Sequence, residues 1–344
     1  MEKITIKHIA NKLGLSIATV SRAVNPQTQH LVKQNTRDKV LTLIESEHYI
    51  PSPAAKALAT GRSYNIVVFF RPEASSVFFD DYYSKMIAGS MNAVSGTDYN
   101  LVMSVIKDEE GGFDIEKAVR KMDVAAAILV NFLGVHKLSA KNIFNLDVPI
   151  LVINQYREEE NPNCFLIDNF KSSYEATQYL INKGHRRIGF VRGLANVKDA
   201  QDRYLGFLQA LKDNGISHNE NLDYQTDFSE EAAVFAVRYF FSGKSKPPSA
   251  LFFVNDTMAM IAMNELRKLG ITCPKDISVM GFDGIDAGRY TDPPLTTVLQ
   301  PIYDMAGEAV REAMNILEAK KRFKGTRYFT AKIIERGSVA SYRE

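Results

Sequence analysis

The sequence predicts a small all-α head joined to a larger α/β body of two doubly wound lobes with parallel sheets. Three observations predict this. Apolar residues recur at helical spacing through the first 48 residues, whereas from residue 65 short apolar runs alternate with stretches long enough for crossover helices. Charge is segregated as well: nine Lys and Arg face four acids in residues 1–62, against 33 and 36 in the remainder. With 344 residues, 45% of them hydrophobic, the chain is long enough for more than one core.

The head, residues 1–48, is legible turn by turn. Thr5 is placed to cap a first helix in which Ile6, Ile9, Ala10 and Leu13 form one apolar face. Gly14 permits a tight turn, and Ser16 can cap a second helix starting at Ile17, with Leu15, Val20 and Val24 at helical spacing. Two short helices around a turn of about three residues make a helix-turn-helix plan, whose second helix enters a DNA major groove. On that reading Ser16, Thr19 and Ser21 let the helix approach phosphates, Ile17 and Ala18 make apolar contacts, and Arg22 reads guanine with its fork. Spacing alone equally allows a plain amphipathic helix in an all-α subdomain. The concentrated positive charge favours nucleic acid. A third helix is expected at about 35–48, with Val40, Leu41 and Ile44 turned inward.

Next comes YIPSPAAKALATGRS, a hinge and linker at 49–63. Ser52 can cap a helix, Pro53 suits its first position and Gly61 stops it, leaving about seven residues at 53–60. A helix that short is marginal in water unless DNA or a second copy holds it. Leu58 is then either a wedge for a minor-groove base step or a contact that packs a linker helix on the body.

In the body, residues 64–344, NIVVFF (65–70), NLVMSVI (100–106), AAAILVNF (125–132) and VPILVI (148–153) read as buried strands. RRIGFVR (186–192), SALFFVN (249–255) and ISVMGFD (277–283) form a second series. Ligands of such sheets bind at the carboxyl ends of the strands, and a cleft between two lobes is a natural small-molecule site. Polar residues appear where apolar runs stop: Asp80 with Asp81, Asn255 with Asp256, and Asp283. Each alone is as readily a helix cap. Together with the fork of Arg203 and the rings of Tyr82, Tyr83 and Phe228, they offer the acceptors, donors and apolar floor that a sugar requires.

TIKHIANKLGLSIATVSRAVN, VKQNTRDKVLTLIESEHYIPSPAAKALATGRS and GFDGIDAGRYTDPPLTTVLQP together resemble the lactose/galactose-repressor family of bacterial transcription regulators. The resemblance runs from Thr5 to about Val339. It implies a periplasmic-binding-protein-like body of type I, whose chain crosses between lobes near residues 164, 293 and 330. The expected N-lobe is then 64–163 with 293–330, and the C-lobe 164–292 with 331–344. It implies base reading by Ile17, Ala18 and Arg22, a minor-groove wedge at Leu58, and DNA contacts from Thr5, Asn25, Ala55 and Lys56. It ranks Tyr83, Arg203, Asn255, Asp256 and Asp283 as effector contacts, with Asp80, Tyr82 and Phe228 as weaker ones. A homodimer on a palindromic operator follows, acting as a ligand-responsive repressor. Four positions depart from the family pattern: His8 where an acid is common, Lys33 in place of a capping Ser, and Ser52 and Lys56 in place of Asn and Arg. His185 in KGHRRIGF matches the family, and a His in a helix-to-strand turn is expected to be a structural hydrogen-bonding residue.

Other classes find little support. No phosphate loop, GxSxG elbow or pair of His at metal spacing occurs, so neither catalysis nor a cofactor or metal is expected. Cys164 and Cys273 are isolated and read as buried thiols. Absence of an apolar leader or span points to a cytoplasmic protein and argues against the rival reading as a transporter's solute-binding module. Acids, Arg and aromatics favour a neutral sugar as effector, with a purine or phosphorylated sugar as alternatives.

Overall fold

The computed structural model describes residues 4–25, 28–49, 61–70, 81–106, 115–130, 146–154, 163–195, 197–243, 246–319 and 325–343. In the head, α1 (Ile6–Leu13), α2 (Ile17–Val24) and α3 (Gln34–Ser46) enclose a core of Ile9, Ala10, Val20, Ala23, Val40 and Tyr49. Thr5 Oγ1 accepts from the N–H of His8, and Ser16 Oγ from that of Thr19, so both predicted caps form. Gly14 ends α1 at φ +63, a left-handed conformation that a Cβ would oppose. Leu41 departs from expectation: it is 39% exposed, because the face of α3 that meets the other helices is centred on Val40.

The body contains two six-stranded sheets. The first runs, in spatial order, β11 (Thr326–Phe329), β5 (Cys164–Ile167), β4 (Ile150–Ile153), β3 (Ala126–Val130), β1 (Asn65–Phe70) and β2 (Asn100–Val105), all parallel. The second runs β12 (Lys332–Ile334), β10 (Thr296–Leu299), β9 (Ser278–Asp283), β8 (Ala250–Phe253), β6 (Ile188–Arg192) and β7 (Asp223–Gln225), with β12 alone antiparallel. Central strands such as NIVVFF and ALFF are apolar on both faces because helices cover both sides of a parallel sheet. Sheet membership moves two expected crossings later: Cys164–Ile167 completes the first sheet and Thr296–Leu299 belongs to the second. Each of these short strands satisfies the open backbone edge of its neighbour, β4 and β9 respectively, before the chain departs.

Two helix pairs fix the lobes, and both depend on glycine. On the first lobe α4 (Asp81–Val94) meets α10 (Ile302–Ala319), where a Cβ on Gly89 would lie 2.0 Å from the carbonyl oxygen of Tyr303. On the second, α6 (Asn169–Asn182) meets α7 (Lys198–Asp213), where a Cβ on Gly206 would lie 2.1 Å from that of Phe170. Helices α8 (Glu230–Phe240) and α9 (Asp256–Lys268) cover the other face of the second sheet. Among the described residues no helix is long and apolar enough to cross a membrane, and no group of His, Cys, Asp and Glu could hold a metal.

Candidate functional site

The residues singled out from the sequence fall in two separate regions. In the head, α2 buries Val20 and Ala23 and turns Ile17, Ala18 and Arg22 outward. Ile17 is 49% exposed although it is one of the most apolar residues of the head. Ala18 and Arg22, four residues apart, share one exposed face of this capped helix, and Ile17 lies exposed at its start, so apolar and cationic groups are both presented to solvent. Thr19, Ser21 and Asn25 sit half-buried at its margins, and Thr5 and Ser16 are occupied as caps while remaining near the surface. Ala55, Lys56, Leu58 and the expected helix 53–60 lie outside the described residues.

In the body, the carboxyl ends of β8 and β9 and the starts of α6, α7 and α9 converge. Arg203, one turn into α7, is 8% exposed. Its Nε donates to Asn169 Oδ1 at 2.8 Å and its Nη1 to the carbonyl of Val254 at 2.6 Å. Its guanidinium lies 3.7 Å over the Phe282 ring, and Nη1 stands 3.6 Å from Asp283 Oδ1. Asp283 also accepts from Gln300 Nε2 at 2.6 Å and has φ +123, which an L-residue rarely adopts. A fixed fork and a fixed carboxylate thus stand side by side at the strand ends. Phe228, at φ +69 and 37% exposed, rests its ring against Gly193, where any side chain would collide with it.

The remaining predicted residues fall into different positions. Asn255 caps α9, its Oδ1 accepting the N–H of Met258 at 2.9 Å, and stays half-buried. Asp256 is completely buried: Oδ1 accepts from the hydroxyl of Thr297, and Oδ2 from the N–H groups of Gly284 and Ile285. Burial pushes its carboxyl above the usual range, while these donors pull it back. It braces the turn after Asp283 from beneath. Tyr82 and Tyr83 lie on the first lobe, edge to face, with Tyr83 against Phe70 and Tyr82 Oη accepting from Asn154. Asp80 lies outside the described residues. His185 is buried, bonded to Ser249 and the carbonyl of Ala340 and stacked on Tyr342, and burial holds its imidazole below its ordinary pKa.

Sequence reasoning missed Asn169, Gln300 and Asn154. Gln300 and Asn154 directly follow the strands TTVL and ILVI, and Asn169 comes two residues after CFLI, so a polar residue at or just past a strand end was the available signal. Asn154, buried at φ +54, keeps its Oδ1 without a partner, an acceptor left open at the end of β4.

Similarity to known proteins covers both the head and the body. Residues 5–52 match the model for bacterial regulatory proteins of the lacI family, and residues 177–339 match a periplasmic binding protein-like domain. The regulator RegA of Clostridium saccharobutylicum is 30% identical over 343 residues, covering 97% of this chain and 99% of that protein. The Lac repressor dimer bound to operator has a TM-score of 0.81 at 22% identity, covering 98% of this chain and 100% of that one. The complex of the regulator CelR with cellobiose has a TM-score of 0.72 at 24% identity, covering 97% and 99%.

Proposed function

Since the chain belongs to the lacI family of bacterial regulatory proteins, DNA-binding transcription regulators and not enzymes, we propose that it is a cytoplasmic repressor acting as a homodimer and released from or recruited to DNA by a neutral sugar. Its two heads present α2 to successive major grooves of an inverted repeat, with Ile17, Ala18 and Arg22 at base edges. Thr5, Ser16, Thr19, Ser21 and Asn25 contact the backbone, joined by Ala55 and Lys56, and paired Leu58 side chains open a central minor-groove step.

The effector binds between the lobes against Arg203, Asn255 and Asp283, over the ring of Phe228 and facing Tyr82, Tyr83 and Asp80. Asp256 acts there through the turn that it braces. The observation that carries this reading is the Arg203–Asp283 pair, 3.6 Å apart and held by Asn169, Val254 and Gln300 at the strand ends. Such a pair is preorganised: its charges are already held at the strand ends, where a ligand's hydroxyl groups would meet them. The cellobiose-bound structural neighbour makes sugars the first class to try.

A thermal-shift panel on the full chain tests the proposal, with neutral sugars, sugar phosphates and nucleobases as separate groups. A neutral sugar at about 100 times its Kd stabilises the protein by roughly 2.7 kcal/mol. Asp283→Ala should lose that shift while keeping operator affinity. A shift confined to sugar phosphates or nucleobases overturns the ligand class, and a normal shift in Asp283→Ala overturns the site.

A further inference from the structure

A polar clasp joins the two lobes beside Asp283. Helix α4 belongs to the first lobe, and its first turns carry Asp81 and Lys85. Lys85 Nζ pairs with Asp81 Oδ2 at 2.7 Å, then reaches the second lobe, donating to the carbonyl of Gly284 at 3.0 Å and lying 3.8 Å from Asp286 Oδ2. Asp81 Oδ2 accepts the backbone N–H of Asp286 at 3.2 Å. The segment so gripped is the turn 284–286, which directly follows Asp283.

That turn is held from two sides by different lobes. From within the second lobe, Asp256 accepts the N–H groups of Gly284 and Ile285 at 2.8 and 2.9 Å. From across the cleft, Lys85 and Asp81 take the next carbonyl and the next amide. Asp283 itself is in an unfavourable backbone conformation, which persists only where its surroundings over-determine it. A lysine suits the outer grip, because its compact ammonium has three donors and a flexible stem that can follow a moving lobe. Lys85 and Asp81 are about a quarter to a third exposed, so added salt weakens the pair without abolishing it.

We propose that Lys85, together with Asp81, is a positioning residue for the ligand cleft, holding the 284–286 turn, and with it Asp283, in register with the first lobe and so tying the lobe angle to the site. A ligand that pulls on Asp283 strains the clasp, and a lobe rotation that withdraws Lys85 loosens Asp283. The assignment of Asp283 to the site rests on the reading above, whereas the clasp itself does not.

Hydrogen exchange of three consecutive amides in the full chain tests it, without any ligand. The amides of Gly284 and Ile285 are held within their own lobe and serve as controls; that of Asp286 is held across the cleft. In Lys85→Met the Asp286 amide should exchange at least about tenfold faster, the two controls should keep their rates, and small-angle scattering should show a wider separation of the lobes. Lys85→Arg, which keeps charge and donors, should restore most of the protection. Equal acceleration at all three amides, or none at Asp286, overturns the clasp. Failure of the effector reading would show separately, in the ligand panel with Asp283→Ala.

Discussion

Arg203 is a charge taken almost entirely out of water, which is unfavourable unless every donor finds a strong acceptor. Asn169, the Val254 carbonyl, Asp283 and the Phe282 ring supply that compensation. Asp199, one turn earlier, is less well served: its Oδ1 is sealed from solvent without a partner, and burial pushes its carboxyl up to about 6, opposed by Arg203. Its folded-state pKa lies above its unfolded value, so the native state binds the extra proton between about pH 4 and 6. Stability from this group is therefore present at low pH and is lost as pH rises through about 6. Asp199→Asn should remove that fall and raise stability at pH 7.5 by roughly 1–3 kcal/mol, read by urea unfolding at pH 5 and 7.5. At the other site, Arg22→Ala should cost about 1–3 kcal/mol at one operator position and relax choice there. Binding measured against a set of single-base operator variants checks it, and an equal loss on every sequence would assign Arg22 to phosphate.

Among the elements, the three head helices differ in how they begin. Thr5 and Ser16 cap α1 and α2, but Lys33 stands before α3 without a side-chain bond to its first turn. The first N–H groups of α3 have lost a partner that Ser would supply. Lys33→Ser should raise the melting temperature through about 0.5–1.5 kcal/mol of added stability, a gain that differential scanning calorimetry of the full chain would register in the transition of the head. Helix starts were legible in the sequence because a cap acts over three residues. Strands set in longer apolar runs, such as ILVI in VPILVI and ALFF in ALFFV, were legible for the same local reason, and β5 and β10 were not. CFLI is flanked by Asn163 and Asp168 and TTVL is half threonine, so neither stands out as an apolar run, and their place was decided by which neighbouring strand still had an unpaired backbone edge. Leu41 was misplaced for a related reason, since helical spacing gives a face but not the angle at which α3 meets its partners.

At the scale of the whole molecule, the chain passes between its two lobes after Ile167, after Leu299 and between β11 and β12, so any change in lobe angle is carried by three connecting segments at once. If ligand and operator are coupled through that angle, the coupling is reciprocal. The sugar that changes operator affinity by a given factor should itself bind with an affinity changed by the same factor when saturating operator is added. Titration calorimetry with and without operator DNA measures both arms of the cycle; unequal factors would mean that the two sites do not communicate through one equilibrium.

The sequence by itself determined the head, the two-lobed class of the body and the types of side chain at each site, because caps, apolar period and charge segregation act over a few residues. Only the tertiary structure decided which of those side chains meet. It set Arg203 beside Asp283, drew in Asn169 and Gln300 from distant strand ends, sank Asp256 beneath the turn and brought Lys85 across the cleft to Gly284. Lys85 and Gly284 are 199 residues apart in the chain. No local spacing encodes such a contact; it follows from two sheets being completed by strands that the chain supplies from both ends.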